Sequence, residues 1–372
     1  MIEKTKVFIC HRSLPIGGTE RSLLQLLSSY DYSKTEVHLG LLKRTGTLLQ
    51  QIPKEVILDD LALDEDFDTL RTASPYNCLR LLWKRKRFFS CFVFLVVYYL
   101  QKNNPAKRVY FYKYFLRSYP VPTIVFDMAH CFYGVDDLLS FIVAYRIKAA
   151  TKCSWIHIDV SKGGFNKTYF NAIAKKYQTF YIVSRQGKAI FDKLFPNLKE
   201  KTEVRYTSIP REKIRELSLS GPSFIDEFSG RRLLTIGRIS PEKGQMIALA
   251  ALKILTEEGI NIRWYFIGDG ADLKSCLVFA EQLGVSGNAY FLGNRINPYG
   301  YLKDCDLYVQ PSRNEGFCIS LGEALCLNKP IVSTDFVGAK EQLDGDTDAM
   351  IVSCSSPVEL AEGIKASLQR IR

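Results

Sequence analysis

Two hydrophobic periodicities alternate along the chain. Compact apolar runs, the pattern of buried strands, lie at Lys6–Cys10, Glu36–Leu42, Glu55–Leu58, Thr123–Asp127, Cys153–His157, Phe180–Val183 and Val204–Tyr206. They return at Arg232–Ile236, Ile262–Ile267, Ala289–Leu292, Leu307–Val309, Ile331–Ser333 and Met350–Val352. Between them, apolar residues recur at helical spacing: Leu23, Leu24, Leu26 and Leu27, the stretch from Arg185 to Phe195, the one closing at Glu258, Ile319–Leu327 and Pro357–Ile371. Strands that alternate with helices predict an α/β protein with parallel sheets and helices on both faces. Ser218–Ser229 mixes Ser, Gly and Pro with polar residues and interrupts the pattern. It is the expected linker, with a boundary near residue 215 that divides the chain into domains 1–215 and 216–372.

One stretch departs from the alternation. Leu79–Gln101 reads LRLLWKRKRFFSCFVFLVVYYLQ, and its uncharged apolar part, Phe88–Leu100, is thirteen residues long. A spanning helix needs about 20 residues, so a transmembrane segment is not expected. Two readings remain: a buried helix of the first domain, or an interfacial helix with Lys84–Arg87 at lipid headgroups and the aromatic residues beneath. The clustered charge favours contact with an anionic membrane surface, and Tyr110–Tyr119 (YFYKYFLRSY) prolongs the same character. The acidic cluster Asp59–Asp68 reads as a solvated loop. Met1–Cys10 carries only the short apolar run Val7–Cys10, below the length of a signal-peptide core, and reads as a first strand.

At 372 residues the chain can build two full cores. Its net charge of +11 is unevenly spread: residues 1–212 hold 33 basic and 19 acidic side chains, residues 213–372 hold 17 and 20. A positive field over the first half attracts anionic lipid or phosphorylated acceptors. Basic residues interleaved with aromatics could also stack bases, but no motif that reads RNA or DNA accompanies them, and nucleic acid is not an expected partner. The ten cysteines form no C-x-x-C pair, and Cys10, Cys153, Cys318 and Cys326 fall in apolar runs. They read as buried thiols in a reducing compartment, with no zinc site.

Candidate chemistry concentrates where predicted strands turn into helices. Gly17 and Gly18 precede the first helix and let backbone approach a ligand closely. Gly237–Gly244 reads GRISPEKG, which sets Arg238 at a strand end and Lys243 just before a helix, a suitable clamp for a diphosphate. Pro311–Asp335 reads PSRNEGFCISLGEALCLNKPIVSTD, a strand-loop-helix-strand pattern with Glu315 in the loop and Glu323 in the helix, seven residues between them. The backbone N–H groups of Gly316, Phe317, Cys318 and Ile319 would point outward from that helix's start, where anions bind well. His130 and His157 each stand at the carboxyl end of a predicted strand, where sites of open α/β sheets form.

These three elements together resemble retaining glycosyltransferase family 4, enzymes of GT-B architecture. The resemblance is strongest over 231–353, moderate over 6–30 and 153–210, and weak over 60–122. It implies two doubly wound, Rossmann-like domains facing each other across a cleft, the second holding a nucleotide-sugar donor and the first an acceptor. It further implies Glu315 as the contact to donor-sugar hydroxyls, Glu323 as the ribose contact, and Arg238 and Lys243 as phosphate binders. His157 would touch the sugar near the acceptor, with His130 as second choice, and Gly17 and Gly18 would lie beside the donor. Gly268, in Gly268-Asp269-Gly270, matches a glycine turn of the family, and Arg295 and Ile296 follow a turn whose backbone lies against the nucleotide base. Asp304-Cys305-Asp306 spells D-x-D, a metal-nucleotide motif of another glycosyltransferase fold. At a helix-to-strand junction it is expected to be structural, which leaves a metal-free site.

The resemblance implies no cofactor. The donor would be a UDP- or GDP-linked sugar and the acceptor a polyprenyl-linked precursor or surface glycan, with a cytoplasmic hexosyltransferase peripheral on the inner face of the cell membrane. Retention of anomeric configuration is implied by the family alone. The same architecture also serves inactive scaffold subunits of glycosyltransferase complexes and nucleotide-sugar 2-epimerases, but the paired motifs favour sugar transfer.

Overall fold

A computed structural model describes residues 4–163 and 165–371; residues 1–3 of the Met1–Cys10 stretch lie outside that description. Among the described residues the strands form two all-parallel sheets. The first joins β1 (Thr5–His11), β2 (Thr35–Leu41), β3 (Ile57–Asp60), β4 (Phe126–Cys131), β5 (Ala149–Ile156), β6 (Thr179–Ile182) and β7 (Thr202–Val204) in the order β3-β2-β1-β4-β5-β6-β7. The second joins β8 (Arg231–Ile236), β9 (Ile262–Ile267), β10 (Ala289–Gly293), β11 (Leu307–Gln310), β12 (Ile331–Thr334) and β13 (Met350–Val352) in the order β10-β9-β8-β11-β12-β13. The order reverses between β1 and β4 and again between β8 and β11. Each reversal opens a crevice at the carboxyl ends of the strands, and the two crevices face each other.

Burial on both faces explains why the strands read as unbroken apolar runs. Along β1, Phe8 and Cys10 join one core while Val7 and Ile9 join the other. In the second sheet Leu233, Trp264 and Val309 face one helical layer and Leu234, Tyr265 and Tyr308 the opposite one.

The chain leaves the first sheet at Val204, and helix Arg211–Ser220 already packs on helices Tyr299–Asp304 and Ile319–Cys326, with Ile214 in the second core. The crossing therefore runs through 205–210, upstream of the expected boundary at 215. Ser218–Ser229 is not an open linker. Asp226 within it pairs with Arg232 at 3.1 Å and Arg263 at 2.5 Å, and Phe224 packs on Tyr265 with ring centroids 4.5 Å apart. Its Ser/Gly/Pro content reports irregular backbone, not lack of packing. Glu341 of the second domain accepts hydrogen bonds from the Arg185 and Gln186 amides at 2.8 and 3.4 Å. It thus caps helix Arg185–Leu194 of the first domain with negative charge.

Three local expectations shift. The acidic cluster is a helix start, not a solvated loop: Asp64 accepts from the Phe67 amide at 2.8 Å, and Glu65, Asp66 and Asp68 fill the first turn of helix Glu65–Thr72. β4 begins at Phe126 instead of Thr123 and runs on to Cys131, which places His130 inside the strand. Leu79–Gln101 is two helices, Pro75–Lys84 and Phe88–Asn103, broken at Lys86, which adopts a left-handed φ of 55°. Among the described residues no helix is long and apolar enough to cross a membrane.

Helix Phe88–Asn103 fits neither sequence reading alone. Ser90, Phe94 and Val97 are buried, whereas Phe89, Phe92 and Tyr99 on the opposite side are 70%, 64% and 67% exposed. The two faces should respond differently to truncation. Phe94→Ala is expected to lower the unfolding free energy by about 3–5 kcal/mol, as for other buried phenylalanines, and Phe92→Ala to leave it within about 0.5 kcal/mol. Urea denaturation of both variants checks this; equal losses would contradict the assignment of faces.

Candidate active site

The facing crevices enclose a cavity of about 230 Å³ lined by Gly17, Gly18, Arg21, Tyr133, His157, Arg238, Lys243, Gly268, Arg295, Glu315 to Ile319 and Glu323, among others. Its lining residue Glu315 is supported by a buried polar chain that starts in β11. Within β11 and the turn after it, the Tyr308 hydroxyl donates to Gln310 Oε1 at 2.5 Å, Gln310 Nε2 to Ser312 Oγ at 2.7 Å, and Ser312 Oγ to Glu315 Oε1 at 2.9 Å. Lys243 Nζ reaches the same Glu315 oxygen at 2.5 Å. Burial by itself would lower the Lys243 pKa, but the neighbouring Glu315 carboxylate outweighs it and holds the ammonium charged above its ordinary range. Glu315 is thereby aimed from both sides, and the sequence signalled only its two charged members.

Glu323 is only 4% exposed, although it sits in the middle of helix Ile319–Cys326. A buried carboxylate needs partners. The Tyr299 hydroxyl donates to Glu323 Oε1 at 2.7 Å, and Arg21 Nη1 approaches the same oxygen at 3.6 Å. Arg21 comes from the other domain, on helix Gly18–Ser28. It also donates to the Tyr299 hydroxyl at 2.7 Å and to the Ile296 carbonyl at 3.0 Å. Arg21 and Tyr299, neither singled out from the sequence, tie the two domains at the cavity wall.

The loop between β11 and helix Ile319–Cys326 is bounded by close backbone approach. A Cβ on Gly316 would stand 2.4 Å from the His157 carbonyl oxygen, so glycine lets this loop meet the first domain. Gly268, at φ 146°, leaves no room for a Cβ, which would stand 1.9 Å from the Gly237 carbonyl oxygen, so glycine lets these two turns meet. Of the amides expected to face a ligand, that of Cys318 is taken: it donates to Gln342 Oε1 at 3.0 Å, and Gln342 Nε2 returns a bond to the Cys318 carbonyl at 2.9 Å. The Cys318 thiol is pushed up to about 12 by burial and by Glu315, so it stays protonated. The Arg238 guanidinium is exposed and has no ion pair among the described residues. Arg295 lines the cavity, whereas the Ile296 side chain is exposed and contributes its carbonyl to Arg21.

The two histidines separate. His157 follows β5 and lines the cavity, stacked on Trp155 at 5.8 Å between ring centroids, with a buried Nε2 that has no partner among the described residues. Burial, with His11 adding to it, lowers its pKa to about 3, so it is a neutral imidazole near pH 7. His130 lies inside β4 in the core, accepts from Trp155 Nε1 at 3.2 Å and is also lowered to about 3, by burial and then Arg205. It is a packing residue away from the cavity.

Asp304 and Asp306 lie at the amino end of β11, away from the cleft. Asp304 accepts from Ser223 Oγ at 2.5 Å, while Asp306 accepts from the Arg232 amide at 2.7 Å and pairs with Arg231 at 3.0 Å.

Residues 229–370 match the family model described as Glycosyl transferases group 1. An uncharacterized glycosyltransferase of Methanocaldococcus jannaschii is 28% identical over 205 residues, 51% of this chain and 50% of that protein. An N,N'-diacetylbacillosaminyl-diphospho-undecaprenol alpha-1,3-N-acetylgalactosaminyltransferase of Campylobacter jejuni is 33% identical over 84 residues, 23% of this chain and 22% of that protein. The chain thus spans half or less of the length of these curated relatives. The crystal structure of Anabaena HepE in complex with UDP and glucose matches 98% of this chain and 90% of its own with a TM-score of 0.68 at 19% identity. That likeness is one of fold, the two-domain GT-B architecture.

Two measurements probe this geometry. Arg21→Gln leaves Glu323 buried with Tyr299 as its remaining partner, and is expected to cost about 3 kcal/mol of unfolding free energy; an unchanged urea midpoint would mean the pair is not formed. His157 and His130 stay neutral in the folded chain down to about pH 3 but protonate near 6.5 when unfolded. The unfolded state therefore binds protons first on acidification. Stability fully present above pH 6.5 falls as the pH drops toward 3, by about 1.4 kcal/mol per pH unit for each histidine. His157→Phe should remove one such share of the slope between pH 6 and pH 4; a slope equal to wild type would show that His157 is not held neutral.

Proposed function

We propose that this chain is a retaining, metal-independent hexosyltransferase that moves a sugar from a UDP- or GDP-linked donor to a lipid-linked or surface-glycan acceptor. The observation that carries this reading is the convergence of Arg238, Lys243, Glu315, Glu323 and His157 on one cavity between two doubly wound sheets. Arg238 and Lys243, beside the start of helix Gln245–Glu257, would take the diphosphate and stabilise the charge that grows on it as the glycosidic bond breaks. Glu315, fixed by Ser312 and Lys243, would accept hydrogen bonds from sugar hydroxyls. Glu323 has Oε1 occupied by Tyr299 and Arg21, which leaves Oε2 for a ribose hydroxyl. The unpartnered Nε2 of neutral His157 would bond a hydroxyl near the acceptor.

For retention, the acceptor oxygen would attack the anomeric carbon on the face the phosphate leaves. The new C–O bond forms as the sugar-phosphate bond breaks, and the acceptor proton passes to the departing phosphate oxygen. No side chain need become covalently attached. This part rests on the family resemblance. The diphospho-undecaprenol in the name of the Campylobacter relative supports a polyprenyl-linked acceptor. Such an acceptor and the basic first half of the chain together support action at an anionic membrane surface on the cytoplasmic, inner face.

Release of nucleoside diphosphate that requires added acceptor and survives EDTA is the expected result. Binding without turnover would point to a scaffold, and turnover without acceptor to an epimerase; restoration by Mn²⁺ or Mg²⁺ after EDTA would reject the metal-free site. Lys243→Ala should weaken UDP binding by about 10- to 150-fold, since charge-assisted hydrogen bonds are lost, while uridine binding changes little. Calorimetry with both ligands measures this, and equal losses would reject Lys243 as a phosphate contact.

A further inference from the structure

Helix Phe88–Asn103 lacks what a surface helix of a water-soluble domain ordinarily has, a polar face. Its exposed side is made by Phe88, Phe89, Phe92, Leu95, Val96 and Tyr99, with Leu100 at the edge. At 3.6 residues per turn these positions cover a continuous arc of about 140°, with no charged side chain inside it. At the break before the helix, Trp83 is 68% exposed and packs edge-on against Phe88 with centroids 4.8 Å apart, which carries the stripe onto helix Pro75–Lys84. A patch of this kind marks an interaction surface.

Charge identifies what covers it. Lys84, Lys86 and Arg87 are exposed at one end of the stripe and have no ion pair among the described residues; Lys102 is exposed at the other. Arg85 is the exception, held by Asp66 at 2.8 Å. A second copy docked here about a two-fold axis would oppose cationic ends whichever way the stripes ran. A bilayer offers apolar depth for the aromatic rings and anionic headgroups for the cations at both ends, with Trp and Tyr at the level they favour. We infer that the Trp83–Tyr99 face is an in-plane membrane anchor, in which the aromatic stripe inserts below the headgroups while Lys84, Lys86, Arg87 and Lys102 engage anionic lipid. This deepens the membrane-apposed reading above and rests on it. It also changes the balance expected from the sequence: insertion, not the basic cluster alone, supplies most of the attachment, so binding once formed should survive salt.

The chain carries its own reporter. Of its three tryptophans, Trp155 and Trp264 are buried and Trp83 is exposed, so a fluorescence change on adding lipid reports Trp83. The full chain is mixed with vesicles of phosphatidylcholine alone or with phosphatidylglycerol added, and binding is read by flotation and by quenching with brominated lipid. Expected are flotation with the anionic vesicles, retained when salt is raised afterwards, and a blue-shifted, bromine-quenched emission. Phe89→Ser/Phe92→Ser/Tyr99→Ser should lower partitioning at least about 1,000-fold, each large side chain accounting for about tenfold or more, with an unchanged urea midpoint because these residues are exposed. Wild-type protein that floats with neither vesicle, or a triple variant that floats as wild type does, would overturn the inference. So would self-association of the wild type, abolished in the triple variant, without flotation; that would give the face to a second copy. UDP-induced thermal shift and acceptor-dependent turnover in detergent, measured on both proteins, report separately on the glycosyltransferase reading, and their loss with flotation intact would strike that reading alone.

Discussion

The arrangement of the cleft depends on one buried charge. Glu323 sits in the middle of an eight-residue helix, shielded from water, and a carboxylate there is tolerated only with partners. Its own domain provides the Tyr299 hydroxyl. The cation comes from Arg21, across the cleft, which also holds Tyr299 and the Ile296 carbonyl. The position of the first helix of one domain is thereby fixed relative to the cavity wall of the other. Glycine at 316, pressed against the His157 carbonyl, makes a second close contact across the same junction.

Much of this was legible in the sequence because it is written locally. Buried parallel strands are apolar runs, and every run singled out from the pattern overlaps a strand, although Val204–Tyr206 meets β7 only at Val204 and Thr123–Asp127 meets β4 only at its last two residues. One shift has a plain local cause: Asp64 turns an acidic cluster into a helix start. The displacement at β4 matters most, since it moves His130 from a strand end into the core while His157 stays at the cleft. The candidate site was legible where charged residues stand at strand-helix junctions, as with Arg238, Lys243 and Glu315, or on the helix that follows at fixed spacing, as with Glu323.

The rest was not legible because it is made at long range. Arg21 meets Tyr299 and Glu323 only after both domains fold and face each other; the Gly17-Gly18 pair just before it marks the helix start but not these partners. Tyr308, Gln310 and Ser312 look like the end of an ordinary strand; their role as a hydrogen-bonded support appears only when Glu315 folds back over them. Cys318 reads as a free amide at a helix start, yet Gln342, on a separate short helix, occupies it. The helix after Arg87 was ambiguous for a different reason. Apolar residues all around a helix indicate burial, but not whether protein or lipid does the burying.

Among the described residues the backbone passes between the two sheets once, through 205–210, because helix Pro357–Arg370 remains packed on helix Gln245–Glu257 of its own domain. Chain connectivity therefore imposes no fixed axis on how the halves sit. Their separation is set instead by contacts along the seam: Arg21 on Tyr299 and Glu323, Gln186 on the Gly338 amide, Glu341 on the Arg185 amide, and the Gly316–Phe317 backbone and ring against the first domain. The width of the cleft is in that sense a chemical quantity: it can be retuned by single substitutions along the seam without disturbing either core.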